Sequence, residues 1–229
     1  MITIIIPTYN EAESIPCLIS YLKDNSNNKV KEIIVSDGGS TDKTLEVAKQ
    51  TGVKAVLSSK KGRASQMNYA ASIASGGVLY FVHADTFPPP TFVEDIEQAL
   101  AEGYELGRYR TRFNSNKTIL RINAFFTRFD WFICYGGDQT LYITGKLFKE
   151  IGGFKEDMLI MEDYEIVGRA RKKGKYKIFS KAALVSARKY DTNSWLTIQL
   201  ANRTIIKMYN KGASQVDMME KYQGMLVYR

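Results

Sequence analysis

The chain has 229 residues, 45% of them hydrophobic and 24% charged, which is ordinary for a folded domain and long enough for one sizeable core. Thirty-two basic residues against 24 acidic ones leave a net charge of +8, a balance that favours an anionic partner such as a nucleotide phosphate, a lipid phosphate, an acidic membrane or nucleic acid. Only two cysteines occur, Cys17 and Cys134, in no metal or redox spacing, so both read as buried thiols in a reducing compartment.

Ile2 to Ile6 is a β-branched run closed by Pro7 and reads as a first strand, followed by the loop "PTYNEAES". Ile15, Leu18, Ile19 and Leu22 recur at i, i+3, i+4 and i+7, one face of a helix. "EIIVS" (32–36) is a second strand opening into "DGGSTDKT", where Ser40 or Thr41 is expected to cap a helix that Gly52 stops. Val53 to Leu57 is a third strand, and a helix with Ala64, Met67, Ala71 and Ala74 on one side follows. "VLYFV" (78–82) is a fourth, fully apolar strand that ends in His83-Ala84-Asp85. Phe92, Val93, Ile96, Ala99 and Leu100 then describe another amphipathic helix. Strand and helix thus alternate four times in the first hundred residues, the signature of a doubly wound parallel sheet.

The second half is less regular. Residues 101–114 read as an irregular, charged strand region, and apolar residues from Ile119 to Ile133 recur at helical spacing beside Lys117, Arg121 and Arg128. That segment reads as a helix packed on the sheet or as a basic, aromatic helix resting on a membrane or holding a lipid-linked acceptor. A strand at Thr140 to Ile143, a short helix, a helix opening at "MEDYE", strands "YKIFS" and "AALVSARKY", and two tail helices broken at Gly212 and near Gly224 complete the chain. The N-terminus has no basic leader, and no stretch reaches the ~18 apolar residues of a membrane span, so a soluble or peripheral cytoplasmic protein is expected.

In a parallel sheet, strands one, two and four deliver "PTYNE", "SDGGSTD" and "HAD" to one carboxyl edge, where open α/β sheets bind ligands. Asp37 there is able to accept hydrogen bonds from a base or ribose; the alternative is that DGGS is an ordinary strand-to-helix turn with an N-cap. Asp85 suits Mg²⁺ or Mn²⁺, hard cations held by one or two carboxylates and completed by phosphate oxygens. His83, the only histidine, either joins that metal or hydrogen-bonds nearby. Arg63 in "KKGRASQ" reads as a diphosphate or base contact, or as a solvated charge. Glu162 and Asp163 open a helix, where carboxylates are favoured by the dipole, and an aspartate at that rim is suited to act as a general base. Neither G-x-G-x-x-G nor a G-x-x-x-x-G-K-[ST] phosphate loop is present.

"IIIPTYNEAESI", "IIVSDGGSTDKT", "GRASQMNYA", "HAD", "GGD…GGF" and "MEDYEIVGRARKKG" together resemble the family-2 glycosyltransferases of GT-A fold. The pattern is most similar to the small bacterial subset found near radical-SAM and selenium-related genes, with HAD in place of DxD. The resemblance spans about residues 1–190. It implies a Rossmann-like, mostly parallel open α/β sheet flanked by helices: a nucleotide half (1–100), an acceptor half (101–190) and a helical C-terminal extension (191–229). It also implies inverting transfer of one sugar from a nucleotide-diphosphate sugar, UDP-linked, to an acceptor hydroxyl. Pro7, Tyr9, Glu11, Asp37 and Arg63 would then hold the nucleoside, and Asp85 with His83 a Mn²⁺ or Mg²⁺ on the diphosphate. Gly136, Gly137 and Asp138 would line the sugar and acceptor side, Asp163 would be the base with Glu162 in support, and Arg188 a phosphate contact. The expected partners are the nucleotide sugar and an acceptor, lipid-linked in the sharper reading, with peripheral contact at the inner membrane face and no nucleic acid. His83 stands where the usual metal motif has its first aspartate, and the Q-x-x-R-W motif of processive members is missing. The alternatives are a non-catalytic sugar-nucleotide-binding or membrane-peripheral protein and, less well matched, a nucleotidyltransferase.

Overall fold

The computed structural model describes residues 1–135 and 139–227. β1 (Ile2–Thr8), β2 (Val30–Asp37), β3 (Lys54–Leu57) and β4 (Val78–Phe81) alternate with α1 (Ile15–Asp24), α2 (Thr44–Gln50) and α3 (Arg63–Ser72), as the apolar runs predict. β5 (Thr86–Phe87), α4 (Phe92–Ala101), β6 (Leu106–Phe113) and α5 (Thr118–Phe126) follow, then a 3₁₀ turn at Phe132–Cys134. β7 (Leu141–Thr144), α6 (Gly145–Glu150), α7 (Glu162–Ala170), β8 (Tyr176–Val185), α8 (Lys189–Thr192), α9 (Trp195–Asn210) and α10 (Gln215–Met225) complete the fold.

The eight strands form one sheet in the order β3-β2-β1-β4-β7-β6-β8-β5. β3, β2, β1 and β4 are parallel to one another. β7 runs antiparallel between β4 and β6, and β8 lies parallel to β6. The sheet is therefore mostly parallel with helices on both faces, as expected. β1 shows why its sequence is apolar throughout: Ile4 and Ile6 pack with Leu18, Leu22, Val93 and Ile96 on one face, and Ile5 packs with Met67, Ile166 and Val167 on the other. A strand covered on both sides has no polar alternation to show.

Several local expectations are corrected. Cys17 is exposed, because α1 buries Ile15, Leu18, Ile19 and Leu22 and position 17 falls on the opposite side; Cys134 is buried as expected. α2 has Lys43 at its N-cap, and Asp42 instead accepts from the Thr44 N–H at 2.9 Å. α3 turns Ala64, Met67 and Ala70 inward, and its buried face also carries Gln66. α5 stops at Phe126 rather than running on to Ile133. "YKIFS" and "AALV" are one strand: between the Arg108↔Ile178 and Arg110↔Ala182 pairs β8 has more residues than β6, and that bulge breaks the alternation. β6 is a regular eight-residue strand despite its three arginines. Arg108, 2% exposed, donates to Tyr176 Oη at 2.7 Å and to the Thr127 carbonyl at 2.8 Å, so a buried charge ties the end of α5 to the sheet.

Gly107 marks the tightest approach in this half. A Cβ there would stand 2.5 Å from the Lys177 carbonyl and 2.6 Å from the Tyr142 ring, closer than any real contact. Gly107→Ala is therefore expected to destabilise the fold by about 1–3 kcal/mol, the usual cost of overpacking, read as a lower denaturant midpoint with an unchanged slope.

The tail forms its own small core. Ser194 and Ser214 cap α9 and α10 by accepting from the Thr197 and Asp217 N–H groups, each at 3.1 Å. Ile205 and Met218 pack with Met158 and Met161, which docks both helices beside the entry to α7. Gly212, at φ +71°, makes the turn between them. Among the described residues no helix is long and apolar enough to cross a membrane.

Candidate active site

The carboxyl ends of β2, β1 and β4 lie side by side, with Thr8 opposite Asp37 and Ile5 opposite Phe81. Hydrogen bonds stitch the loops that leave them. Asn10, in the left-handed region at φ 55°, accepts from the Thr41 N–H at 2.8 Å, and its own N–H donates to Ser40 Oγ at 2.8 Å. The Glu11 N–H donates to Thr44 Oγ1 at 2.8 Å. Below them the buried Gln66 amide donates to the carbonyls of Thr8 at 2.7 Å and Ser36 at 2.9 Å. A Cβ at Gly38 would meet that amide at 2.8 Å, so the glycine is needed for close approach. Gln66 and Asn10 hold the floor of the site, and local sequence pattern marks neither of them.

Two cavities open above this floor. The smaller, about 460 Å³, is lined by Pro7, Tyr9, Glu11, Arg63, His83, Asp85 and Arg188, with Lys61 adding a further positive charge. The larger, about 1020 Å³, also reaches Tyr9, Glu11, Arg63, Asp85 and Arg188, and adds Asp163. Its lining farther from these groups includes Phe126, Trp131 and Ile133 and, from α9, Ile198 and Ile205, interspersed with polar residues such as Asn123, Gln199 and Asn202. Residues from seven stretches of the chain thus line these two adjoining cavities.

Two arginines organise its carboxylates. Arg188, half-exposed, forms a bidentate pair with Glu11, Nη1 lying 3.0 Å from Oε2, and reaches Asp85 Oδ2 at 3.3 Å. Ser14 Oγ donates to the same Glu11 oxygen at 2.6 Å. Arg63 Nε donates to Glu162 Oε1, and its Nη2 stands 3.4 Å from Asp163 Oδ2. Glu162 is 2% exposed and lies behind the cavity wall, whereas Asp163 faces the cavity. Met161, immediately before them, holds φ 71°, a costly conformation for a residue with a Cβ and one that recurs at functional sites. It turns the chain so that the acidic first turn of α7 points at the site. Further along α7, burial raises the Glu165 carboxyl, but the hydrogen bonds from Arg169 and Lys155 outweigh it and hold the pKa below its ordinary value. Arg169 in turn donates to the Gly153 carbonyl at 2.8 Å, anchoring the helix.

Asp37 sits differently from the sequence expectation of a ligand contact. It is buried at 1% exposure, and its Oδ1 accepts from the N–H groups of Gly39 at 2.9 Å and Ser40 at 2.8 Å, while Ser40 Oγ donates to Oδ2 at 2.5 Å. The carboxylate closes its own turn. Gly136, Gly137 and Asp138 lie outside the described residues.

Asp85 and His83 share the smaller cavity, and no group of three or more His, Cys, Asp or Glu residues able to hold a metal occurs among the described residues. That donor set fits Mn²⁺ or Mg²⁺ bound chiefly through substrate phosphates, with Asp85 as the protein's carboxylate, and it fits no all-protein cage. The cationic Arg188 already lying against Asp85 and Glu11 shows a place built to hold positive and negative charge in close contact.

The sequence profile described as Glycosyl transferase family 2 matches residues 3–155, well over half of the chain. The chain belongs to that family. A dolichol-phosphate mannosyltransferase of Pyrococcus furiosus is 32% identical over 110 residues, covering 46% of this chain and 31% of that protein. The succinoglycan biosynthesis protein ExoA of Rhizobium meliloti is 26% identical over 200 residues, covering 77% of this chain and 59% of ExoA. This chain therefore spans only part of the length of either relative. A mannosyltransferase of Pyrobaculum calidifontis, solved with GDP-Man and Mn²⁺, superposes with a TM-score of 0.67 at 17% identity, over 89% of this chain and 61% of that one. That likeness establishes the GT-A fold expected from the motifs.

Proposed function

We propose that this chain is an inverting glycosyltransferase that moves a single sugar from a nucleoside-diphosphate sugar to an acceptor hydroxyl. The observation that carries the reading is the meeting of Asp163, Asp85 and the arginines 63 and 188 around one cavity mouth at the carboxyl edge of β1, β2 and β4. The donor's nucleoside lies over Pro7 and Tyr9, with Glu11 and Asp37 holding the loops that shape its pocket and Arg63 at its rim. Uridine is the base the family resemblance implies. Arg188 and Lys61 face the diphosphate. Residues 1–190 form the transferase unit, and the extension 191–229 walls the acceptor cavity.

The chemistry assigned to the chain's own groups is a proton transfer and a charge balance. The Asp163 carboxylate takes the proton of the acceptor hydroxyl as its oxygen attacks the anomeric carbon from the face opposite the leaving group. The bond from that carbon to the diphosphate oxygen breaks, and the nucleoside diphosphate departs with the electron pair. Arg63 stands beside the Asp163 carboxylate and aims it, with Glu162 fixing Arg63 from behind. A divalent cation held by Asp85, with His83 beside it, would add positive charge against the leaving diphosphate.

The acceptor we infer is lipid-linked and met at the cytoplasmic face of a membrane. The apolar side chains in the far walls of the larger cavity support this, as does a relative named for a dolichyl-phosphate-linked sugar, which offers a hydroxyl. Calorimetric titration with a panel of nucleoside diphosphates, with and without Mn²⁺, tests the donor half. Metal-dependent binding of one base, uridine expected, is the outcome that fits. No binding of any nucleotide would discard the transferase reading in favour of a chain that keeps only the fold.

A further inference from the structure

The segment from Asn114 to Tyr135 presents an exposed apolar face that extends beyond the cavity wall it contributes to. Of α5, only Leu120 is buried. Ile119, Ile122, Phe125 and Phe126 are 37 to 51% exposed along one side of the helix, and Trp131 and Ile133, in the turn that follows, are 51 and 59% exposed. The rings are not loose. Phe129 and Trp131 stack with centroids 4.5 Å apart, Phe125 stands edge-on to Phe126 at 5.8 Å, and the Arg128 guanidinium lies 3.7 Å over the Phe125 ring. Arg108 pins the stretch beneath them to the sheet through the Thr127 and Phe129 carbonyls. A rigid aromatic cluster held out in water is a binding surface in want of an occupant.

Charge says what the occupant is. Between residues 114 and 135 the bases are Lys117, Arg121 and Arg128, all exposed, and the sole acid is Asp130. Asp130 is already matched by Arg171 and by the Tyr135 hydroxyl at 2.9 Å. A second copy of this chain would bring the same bases face to face across the contact, on two bodies each of net charge +8. An anionic bilayer surface complements both features: the aromatic and aliphatic side chains enter the headgroup–acyl boundary while lysine and arginine meet the lipid phosphates.

We propose that the face built by Ile119, Ile122, Phe125, Phe126, Trp131 and Ile133, rimmed by Lys117, Arg121 and Arg128, docks the protein on an anionic membrane. Because Phe126, Trp131 and Ile133 also line the larger cavity, docking brings the cavity mouth to the lipid surface. The inference stands on exposure and charge and does not require the donor assignment.

Flotation with phosphatidylcholine vesicles, plain or doped with phosphatidylglycerol, tests it on the whole chain. The protein is expected to float with the anionic vesicles, weakly or not at all with the neutral ones, and to be released by salt. In a Trp195→Phe background, lipids with brominated acyl chains are expected to quench the remaining Trp131 fluorescence. Ile122→Ser with Phe125→Ser, two exposed positions outside both cavities, is expected to lower the partition coefficient about ten-fold or more, with melting temperature and nucleotide binding unchanged. No flotation, flotation insensitive to that double substitution, or flotation without bromolipid quenching would overturn the proposal. So would a concentration-dependent dimer that the double substitution dissolves, since the face would then belong to a second copy. Nucleotide titration of the same preparations separates failure of docking from failure of the transferase reading.

Discussion

Asp163→Asn is expected to lower turnover by about 10²- to 10⁴-fold, the range that a positioned general base contributes, and to leave donor affinity within about a factor of three, less than 1 kcal/mol. The substitution preserves size and shape and removes only the capacity to hold a proton. Its surroundings explain why binding survives. Arg63 keeps its pair with the buried Glu162 when the weaker 3.4 Å contact to Asp163 is lost, so the rim of the nucleotide pocket stays where it is. Met161 fixes the start of α7 through its backbone, and Ile166 and Val167 anchor the helix in the core. Release of nucleoside diphosphate from the sugar nucleotide, with a hydroxyl-bearing lipid-linked sugar or water as acceptor, gives turnover; calorimetry gives affinity. Full turnover in the variant would remove Asp163 from the role of base. An equal fall in turnover and affinity would mean that the residue acts by holding Arg63, as part of the donor pocket.

The parts of the molecule that were legible in sequence are those where neighbours in sequence share one environment. β1, β4 and the second half of β2 are buried on both faces, and their continuous apolar runs announce it, whereas β3 lies half-exposed at the sheet edge. α1 and α4 each turn one face to the core, and the spacing of Leu18, Leu22, Val93 and Ile96 reports that face. Asp85 and Asp163 stand out as candidates in the sequence because each lies near an element boundary, in the turn after β4 and in the first turn of α7. The features that escaped depend on partners far along the chain. Arg188 meets Glu11 across 177 positions, and Gln66 reads as one more polar residue in a helix until the carbonyls of Thr8 and Ser36 are brought over it. β6 looked irregular because Arg108, Arg110 and Arg112 interrupt it. Only in the fold does Arg108 find the Tyr176 hydroxyl and the carbonyls after α5 that make its burial tolerable. The bulge in β8 likewise exposes Ser180 and Lys181 in mid-strand, where Lys181 pairs with Asp95 at 2.6 Å, and one strand reads as two. Asp37 illustrates the converse: its place at the tip of β2 was correct, while the use of its carboxylate was decided by Gly39 and Ser40, whose N–H groups reach it first.

Asp85→Ala separates two roles that the geometry leaves superimposed, a metal carboxylate and a partner for Arg188. With the side chain gone, Arg188 retains its bidentate pair with Glu11 and remains beside the smaller cavity, and one negative charge facing the incoming diphosphate disappears. Metal-free affinity for a nucleoside diphosphate is therefore expected to hold or to rise slightly, since like-charge repulsion at this mouth falls. The gain that Mn²⁺ confers on the native protein is expected to vanish, with metal affinity down by about a hundred-fold, a loss that removal of an outer-shell partner alone is able to produce. Titration of the same nucleotide in Mn²⁺ and in chelator, for native and variant protein, yields the four affinities that decide. If affinity falls equally in both conditions, Asp85 serves the donor through Arg188 and is no metal ligand. If the Mn²⁺-dependent gain persists intact, the cation is held by phosphates with other protein groups, and the HAD sequence keeps its histidine and aspartate for the shape of the β4 turn. Loss confined to the metal-dependent increment leaves one arrangement consistent with both carboxylate and arginine: the guanidinium balances Glu11 and Asp85 in the resting site, and Asp85 exchanges that partner for the cation when the diphosphate arrives.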